Sequence, residues 1–435
     1  VGGNVSVASF NVLNYFTTLD DGSCPYSGGC RGADNATEFT RQRDKIIAAL
    51  AEIDADVVGL IEIENHPTDA ALADLVSGLN AAMGAGTYDY VATGAIGPDV
   101  IRVAFIYKPA SVTPAGNHAV LDAPTFLDPN NTGSAKNRAA LAQTFSNNST
   151  GGVFTAAVNH LKSKGSACGP GDDDPEQGSC NLTRTLAAQE LLNWLSTDPT
   201  SSNDEDFMII GDLNSYDKED PIDAIVAGGY TDLIFSFNGE SAYSYVFDGQ
   251  LGYLDHALAS ADLVGEVTGL TQWHINADEP DLINYDTTFK QPAQEDIYAP
   301  DAFRSSDHDP VIIGLDVCDE VAPTFDEVSV TPNVLWPANH KYVDVTATVT
   351  VNDNFDTNPT LTIVSVTSNE ADNGNGDGNT VDDIIIVDDF HFMLRAERSS
   401  NGVGRIYTIT YMVTDACGNS TTATATVTVP LNNRR

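Results

Sequence analysis

The stretch FMIIGDLNSYDKEDPI, residues 207–222, begins with four apolar residues suited to the middle of a sheet and ends in polar and acidic ones. Gly211 lets the chain turn, and Asp212 and Asn214 stand where the hydrophobic run stops. A single G-D-x-N of this kind ordinarily makes an Asx turn that satisfies local backbone groups. Whether Asp212 and Asn214 do chemistry therefore depends on the other strand ends of the chain.

Five of those ends carry polar residues that a strand does not need. SFNVLN places Asn11 after an apolar run and GLIEIEN places Glu62 late in another. AAVNHLKSKG offers His160, YLDHALAS offers Asp255, and SSDHDPVII presents Asp307 and His308 just before the last apolar run. One such residue is ordinarily a cap or a hydrogen-bonded structural group. Six strand ends bearing them, in this order, point to a shared site.

Up to about Leu315 the chain alternates apolar runs with helical patterns. SVASFNVL, ADVVGLIEIE, IRVAFIYK, LAQTFSN, GVFTAAVNH, FMIIGDLN, YLDHALAS and DPVIIGLDV read as strands, while TEFTRQRDKIIAALAEI and TRTLAAQELLNWLS read as helices. After Cys318 the sequence turns Thr- and Val-rich with period-two alternation and Gly, Asn and Asp turns, which predicts a β-sandwich. The expected domains are 1–317 and 318–435.

The motifs SFNV, GLIEIE, NHLKSK, GDLNSY, LDHALAS and SDHDPV together resemble the endonuclease/exonuclease/phosphatase superfamily, with NVLNYF, RVAFIYKP and NRAALAQTF closest to its secreted bacterial nucleases. The resemblance covers residues 5–317. It implies an α+β fold, a four-layer α/β/β/α (DNase I-like) sandwich, here followed by a segment similar to the immunoglobulin-like modules appended to bacterial enzymes. It further implies a catalytic Mg²⁺ or Mn²⁺ on Glu62 with Asn11 beside it, and Asp307 close enough to hold a second ion. Asp212 would activate the attacking water and Asn214 would hold a phosphate oxygen. His308 would meet the phosphate as imidazolium, partnered by Asp255, and His160 would protonate the leaving oxygen. The segment VATGAIGPDV offers no Glu to orient His160, a departure from the pancreatic-type enzymes.

Composition sets the frame for the substrate. Sixty-two acids against twenty bases give a formal charge of −42, which repels a polyanion at long range and suits a protein working in high salt. Residues 319–435 hold 16 acids and 6 bases, so most of the acidity lies upstream, where only 14 bases remain. Among those, Arg102, Arg138 and Lys162 lie in or beside the motifs and are the expected substrate contacts, with Lys136, Lys164 and Arg304 nearby. DNA is the expected substrate, with RNA as a second candidate; a phospholipid or sugar-phosphate phosphodiesterase is the alternative, which an exposed aromatic hairpin would favour, and none is evident in the sequence.

The six cysteines pair most simply as Cys24 with Cys30, Cys168 with Cys180 and Cys318 with Cys417, with other connectivities left open by the sequence. The two short pairs lack C-x-x-C spacing and sit in Gly-, Asp- and Ser-rich loops, so structural disulfides and a secreted protein are expected. No run is long enough to span a membrane, and VGGNVSVASF lacks the regions of a signal peptide. A monomer is expected. NGNGDGNTVDD resembles half of a calcium loop through Asn373, Asn375 and Asp377, but Ile384 replaces the bidentate Glu, so a turn is the better reading and Ca²⁺ is only an added structural option.

Overall fold

The computed structural model describes residues 1–374, 378 and 380–432, so Asn375 and Asp377 of the half calcium loop lie outside the described residues. The chain divides into two units, Val1–Val317 and Cys318–Arg435.

The first unit holds two six-stranded sheets. One runs in the spatial order Val267–Gln272, Val311–Leu315, Val5–Tyr15, Val57–Glu64, Ile101–Tyr107, Asp89–Tyr90. The other runs Val112–Leu121, Ala140–Asn147, Val153–His160, Phe207–Asp212, Asp255–Ala259, Thr231–Asp232. Period-two alternation decides what each face meets. Val5 and Val7 join Met208 and Ile210 in the core between the sheets. Ala8, Phe10 and Val12 turn outward onto the helices Ala36–Ile53 and Ala70–Met83. Phe207 and Ile209 turn the other way, onto Asn181–Leu195 and Asp220–Ala227. Strands buried on both faces read as continuous apolar runs, which is why FMII carries no alternation. Each fully buried Val, Ile or Phe contributes about 1.5–3 kcal/mol. The result is the expected helix/sheet/sheet/helix layering.

Local signals set the helix ends. Asn35 accepts hydrogen bonds from the backbone N–H groups of Thr37 and Glu38, and Asp54 closes the helix in the left-handed region at φ 48°. The strand Val112–Leu121 has no clear sequence pattern because it contains Pro114 and Gly116; it lies at a sheet edge and loses register between Ala115 and Ala119.

The second unit is all-β among its described residues. Thr324–Thr331, Tyr342–Asn352, His391–Arg395 and Ile384–Ile386 form one sheet, and Thr360–Ser368, Arg405–Thr414 and Ser420–Val429 the other. Phe392, Leu394, Tyr407, Ile409, Tyr411 and Val427 from both sheets share one core. His340 pairs with Glu397 and His391 with Asp388, structural roles in keeping with their sequence context. All three expected disulfides are formed, and none of the described residues crosses a membrane as a long apolar helix.

Candidate active site

Gly211 explains the opening stretch. Its φ is 128°, and a Cβ there would sit 2.1 Å from the Asn159 carbonyl oxygen, so only glycine lets two strands approach this closely at their ends. Across that point His160 pairs in register with Asp212, and Asp212 with Asp255. Three strand ends of one sheet thus present a His and two Asp in a single row.

The facing sheet supplies its residues through irregularities. Pairing of the strand Val5–Tyr15 with Val57–Glu64 breaks between Asn11 and Tyr15, where Leu13 and Asn14 adopt φ 51° and 53°. Glu62 has φ 68° and sits in a second register break, between Leu60 and Ile63. Bulges re-aim side chains, and left-handed non-glycine residues persist only where surrounding structure holds them. Glu62 is held by the Asn14 N–H, 3.1 Å from its Oε2.

These residues enclose a cavity of about 430 Å³ whose wall includes Asn14, Glu62, His160, Asp212, Asn214, Asp307 and His308. His160 Nε2 lies 3.5 Å from Asp212 Oδ2 and 3.9 Å from Glu62 Oε1. His308 Nε2 lies 3.9 Å from the same Asp212 oxygen, while its Nδ1 donates to Asp255 Oδ2 at 2.7 Å. Ser244 Oγ donates to that Asp255 oxygen as well, at 2.7 Å. Asp212 Oδ1 accepts from the Asn214 N–H at 2.9 Å, and the Asn214 amide donates to the Leu161 carbonyl.

Electrostatics divide the two histidines. Burial disfavours charge on His308, but Asp255, Asp307 and Asp212 outweigh it and hold its pKa well above the ordinary value. Burial, reinforced by Arg138 and His308, drives His160 well below it. Asp212 is pushed up to about 7 by burial, with Asp255 and Glu62 adding to the shift and His308 opposing it. Glu62 is raised by burial and then by Asp307.

Glu62 and Asp307 share the cavity wall with Asn14, and these residues could hold a cation. The Asn14 Oδ1 is buried and finds no hydrogen-bond partner. With Glu62 and Asp307 it forms an all-oxygen donor set, which fits a hard divalent cation. Asn11 lies beside Glu62 but off the cavity wall, its Oδ1 accepting from the Leu13 N–H at 3.1 Å. It holds the bulge, and Asn14, which the sequence pattern does not single out, faces the cavity.

The expected substrate contacts need correction. Arg102 is 1% exposed and ion-paired to Asp69 at 2.6 Å, so it braces the core instead of meeting substrate. Lys162 turns its ammonium onto Ser163 and is absent from the cavity wall; burial and then Arg138 and Arg184 lower its pKa to about 8. Arg304 pairs with Asp281 outside the wall. Arg138 does reach the cavity, joined by Arg31 and by Lys164, which pairs with Glu219. Asp99, in the segment that lacks a Glu for His160, holds Arg138 at 2.9 Å and Arg31 at 3.6 Å. His160 Nδ1 is left without a partner. Arg31 directly follows Cys30, and the disulfide loop is the signal that a lone arginine there is positioned.

Other residues also depart from expectation. Asp309 of SSDHDPV accepts the N–H groups of Ile275, Asn276 and Ala277, so it anchors a loop. Tyr245–Phe247 and Gln250–Gly252 pair as a hairpin, and Phe247, 60% exposed, lines the cavity: an exposed aromatic hairpin exists after all. In the second unit Asp319, Asp353 and Asp415 bring carboxylate oxygens within 4.8 Å of one another, apart from the half calcium loop.

A layered sandwich with carboxylates, histidines and cations converging at its strand ends defines a phosphoester hydrolase. The chain matches the Endonuclease/Exonuclease/phosphatase family over residues 8–308 and belongs to that family, whose members are hydrolases of phosphoester bonds and typically depend on a divalent metal. Among solved structures it is similar to a Bacteroides thetaiotaomicron protein of the same family, at 17% identity over 71% of this chain and 96% of that one, with a TM-score of 0.45. A mannosyl-6-phosphatase of the same organism matches at 17% identity over 72% and 99%, TM-score 0.45. The beta toxin of Staphylococcus aureus matches at 16% identity over 72% and 100%, TM-score 0.45. Comparison with curated proteins gives no match.

Proposed function

We propose that the protein is a secreted, divalent-metal-dependent nuclease that hydrolyses phosphodiester bonds of DNA, and of RNA as a second substrate, with little sequence preference. One observation carries this reading: in a catalytic unit with 46 acids and 14 bases, Arg31, Arg138 and Lys164 are gathered on the wall of the catalytic cavity. A local basic rim on an acidic body suits a chain of phosphates, whose contacts dominate nucleic-acid affinity. Three disulfides favour an oxidising, extracellular location, and we read the C-terminal unit as an immunoglobulin-like module.

Glu62, Asp307 and Asn14 would hold Mg²⁺ or Mn²⁺, which when bound offsets negative charge developing on the phosphate. Asp212, raised to about 7, is matched to take the proton of the attacking water near neutral pH. The His308 imidazolium, fixed by Asp255, donates from Nε2 to a phosphate oxygen. His160, kept neutral, donates a hydrogen bond from Nε2 beside Asp212. The resemblance implies that His160 protonates the leaving oxygen, but a neutral His160 offers a hydrogen bond instead. His160→Ala is expected to lower kcat by about 10²-fold, the worth of one preorganised donor; wild-type rates would show that it makes no contact with the reacting phosphate. Arg31→Ala should raise KM alike for all nucleic-acid substrates and lower the salt slope of binding by about one, at unchanged kcat; a fall confined to kcat would remove Arg31 from substrate binding.

The exposed Phe247 hairpin favours a second reading, a phospholipid phosphodiesterase. Incubation with supercoiled plasmid, single-stranded RNA and sphingomyelin, each with Mg²⁺ and with EDTA, separates them. Nucleic-acid cleavage in Mg²⁺ and none in EDTA is expected; sphingomyelin hydrolysis with no nucleic-acid cleavage would overturn the nuclease reading.

A further inference from the structure

The hairpin beside the catalytic cavity is aimed at it. Asp248 and Gly249 have φ 49° and 76°, both positive as a two-residue type I′ turn requires. The turn fixes the pairs Tyr245 with Gly252, Val246 with Leu251 and Phe247 with Gln250. Strand alternation puts Tyr245 and Phe247 on one face. The Tyr245 ring lies 4.6 Å from the His308 ring, so Phe247 is the next position outward from the reacting phosphate. It is 60% exposed.

Phe247 and Tyr216 also border a second cavity of about 350 Å³ that adjoins the first. Gly252 makes room for Tyr216: a Cβ there would meet the ring at 2.6 Å. The rest of the wall includes Tyr253, Asp217, Glu240 and Gln250, and Lys218, just outside it, pairs with Glu240 at 2.7 Å and reaches Asp217 at 3.8 Å. Two carboxylates against one ammonium leave this wall net negative, so it repels a phosphate and takes a different part of the substrate. Two aromatic walls and a set of acceptors fit a flat, uncharged group bearing N–H donors.

We propose that this cavity is a nucleobase subsite, in which Phe247 stacks the base adjoining the scissile phosphate and Asp217 and Gln250 accept from its edge. The proposal rests on the nuclease reading and names its substrate form: a base reaches Phe247 only when unstacked, so single-stranded or frayed segments are cut faster than intact duplex. A lipid occupant fits less well, because the hairpin tip is Asp248–Gly249 and an ionised Asp does not enter a bilayer.

The test compares a single-stranded oligothymidylate with an oligomer of the same length built from abasic tetrahydrofuran units, at fixed Mg²⁺. Wild type should cut the base-bearing oligomer about tenfold more efficiently in kcat/KM. Phe247→Ala should lose about tenfold on that oligomer and less than twofold on the abasic one, and Phe247→Trp should restore the difference. Equal losses on both oligomers, or none on either, would overturn the subsite while leaving the nuclease reading intact. Wild type that cuts neither oligomer but hydrolyses sphingomyelin vesicles, with Phe247→Ala impaired there, would overturn both and make the cavity a choline headgroup site.

Discussion

Glu62→Gln should lower turnover by about 10³-fold or more and abolish Mg²⁺ binding measured by calorimetry, while the metal-free protein melts no earlier than wild type. The magnitude follows from what the carboxylate does: removing a charged ligand of a catalytic cation forfeits about 4 kcal/mol of transition-state stabilisation. Retained stability follows from what it costs. Glu62 is half-buried, and desolvation and then the charge of Asp307 raise its pKa. A carboxyl whose folded pKa lies above its unfolded one destabilises the fold at every pH where it is ionised, so a neutral amide of the same shape relieves that cost. Gln can still accept from the Asn14 N–H, which lies 3.1 Å from the Glu62 Oε2. Turnover within tenfold of wild type would remove Glu62 from the metal site. A drop in melting temperature together with lost activity would show that Glu62 shapes the cavity instead of loading it.

The layers were legible because strands buried on both faces leave continuous apolar runs, as in FMII and VVGLI, and because helices with capped ends, such as Asn35 before Ala36–Ile53, carry local signals. Asp212, His160 and Asp255 were legible too, since each stands at one end of an apolar strand and register then forces them side by side. Asn14 was not, because only the bulge after Asn11 turns it inward and a bulge has no fixed residue signature. Arg102 misled for the opposite reason: its motif places it inside the strand Ile101–Tyr107, where Asp69, distant in sequence, neutralises it. The Phe247 hairpin did carry a signal, the Asp-Gly pair between residues of β-propensity, which marks a type I′ turn. What no sequence pattern contains is that its aromatic face looks toward His308.

His308→Ala should also cost about 10³-fold or more in kcat, and here the decisive measurement is a double-mutant cycle with Asp255→Asn. His308 is the positive group nearest Asp212, at 3.9 Å, and its other nitrogen is committed to Asp255 at 2.7 Å. A preorganised charged donor aimed at developing phosphate charge is worth about 10²–10³ or more in rate. Asp255 lies off the cavity wall, so its effect on the phosphate runs through His308, as a positioning residue, beside a smaller effect in raising Asp212. Asp255→Asn alone should therefore lower kcat by about 10²-fold and leave KM nearly unchanged. In the His308→Ala background the same change should cost far less, leaving only its effect on Asp212, because groups that act as one unit are strongly non-additive. Structural damage would behave differently. Asp255 is fully buried and also receives the Ser244 hydroxyl, so an effect through misfolding would persist when His308 is absent and would appear in circular dichroism. Additive losses in the cycle would separate the two residues and leave the charge of His308 to Asp307 and Asp212, the other carboxylates that raise its pKa.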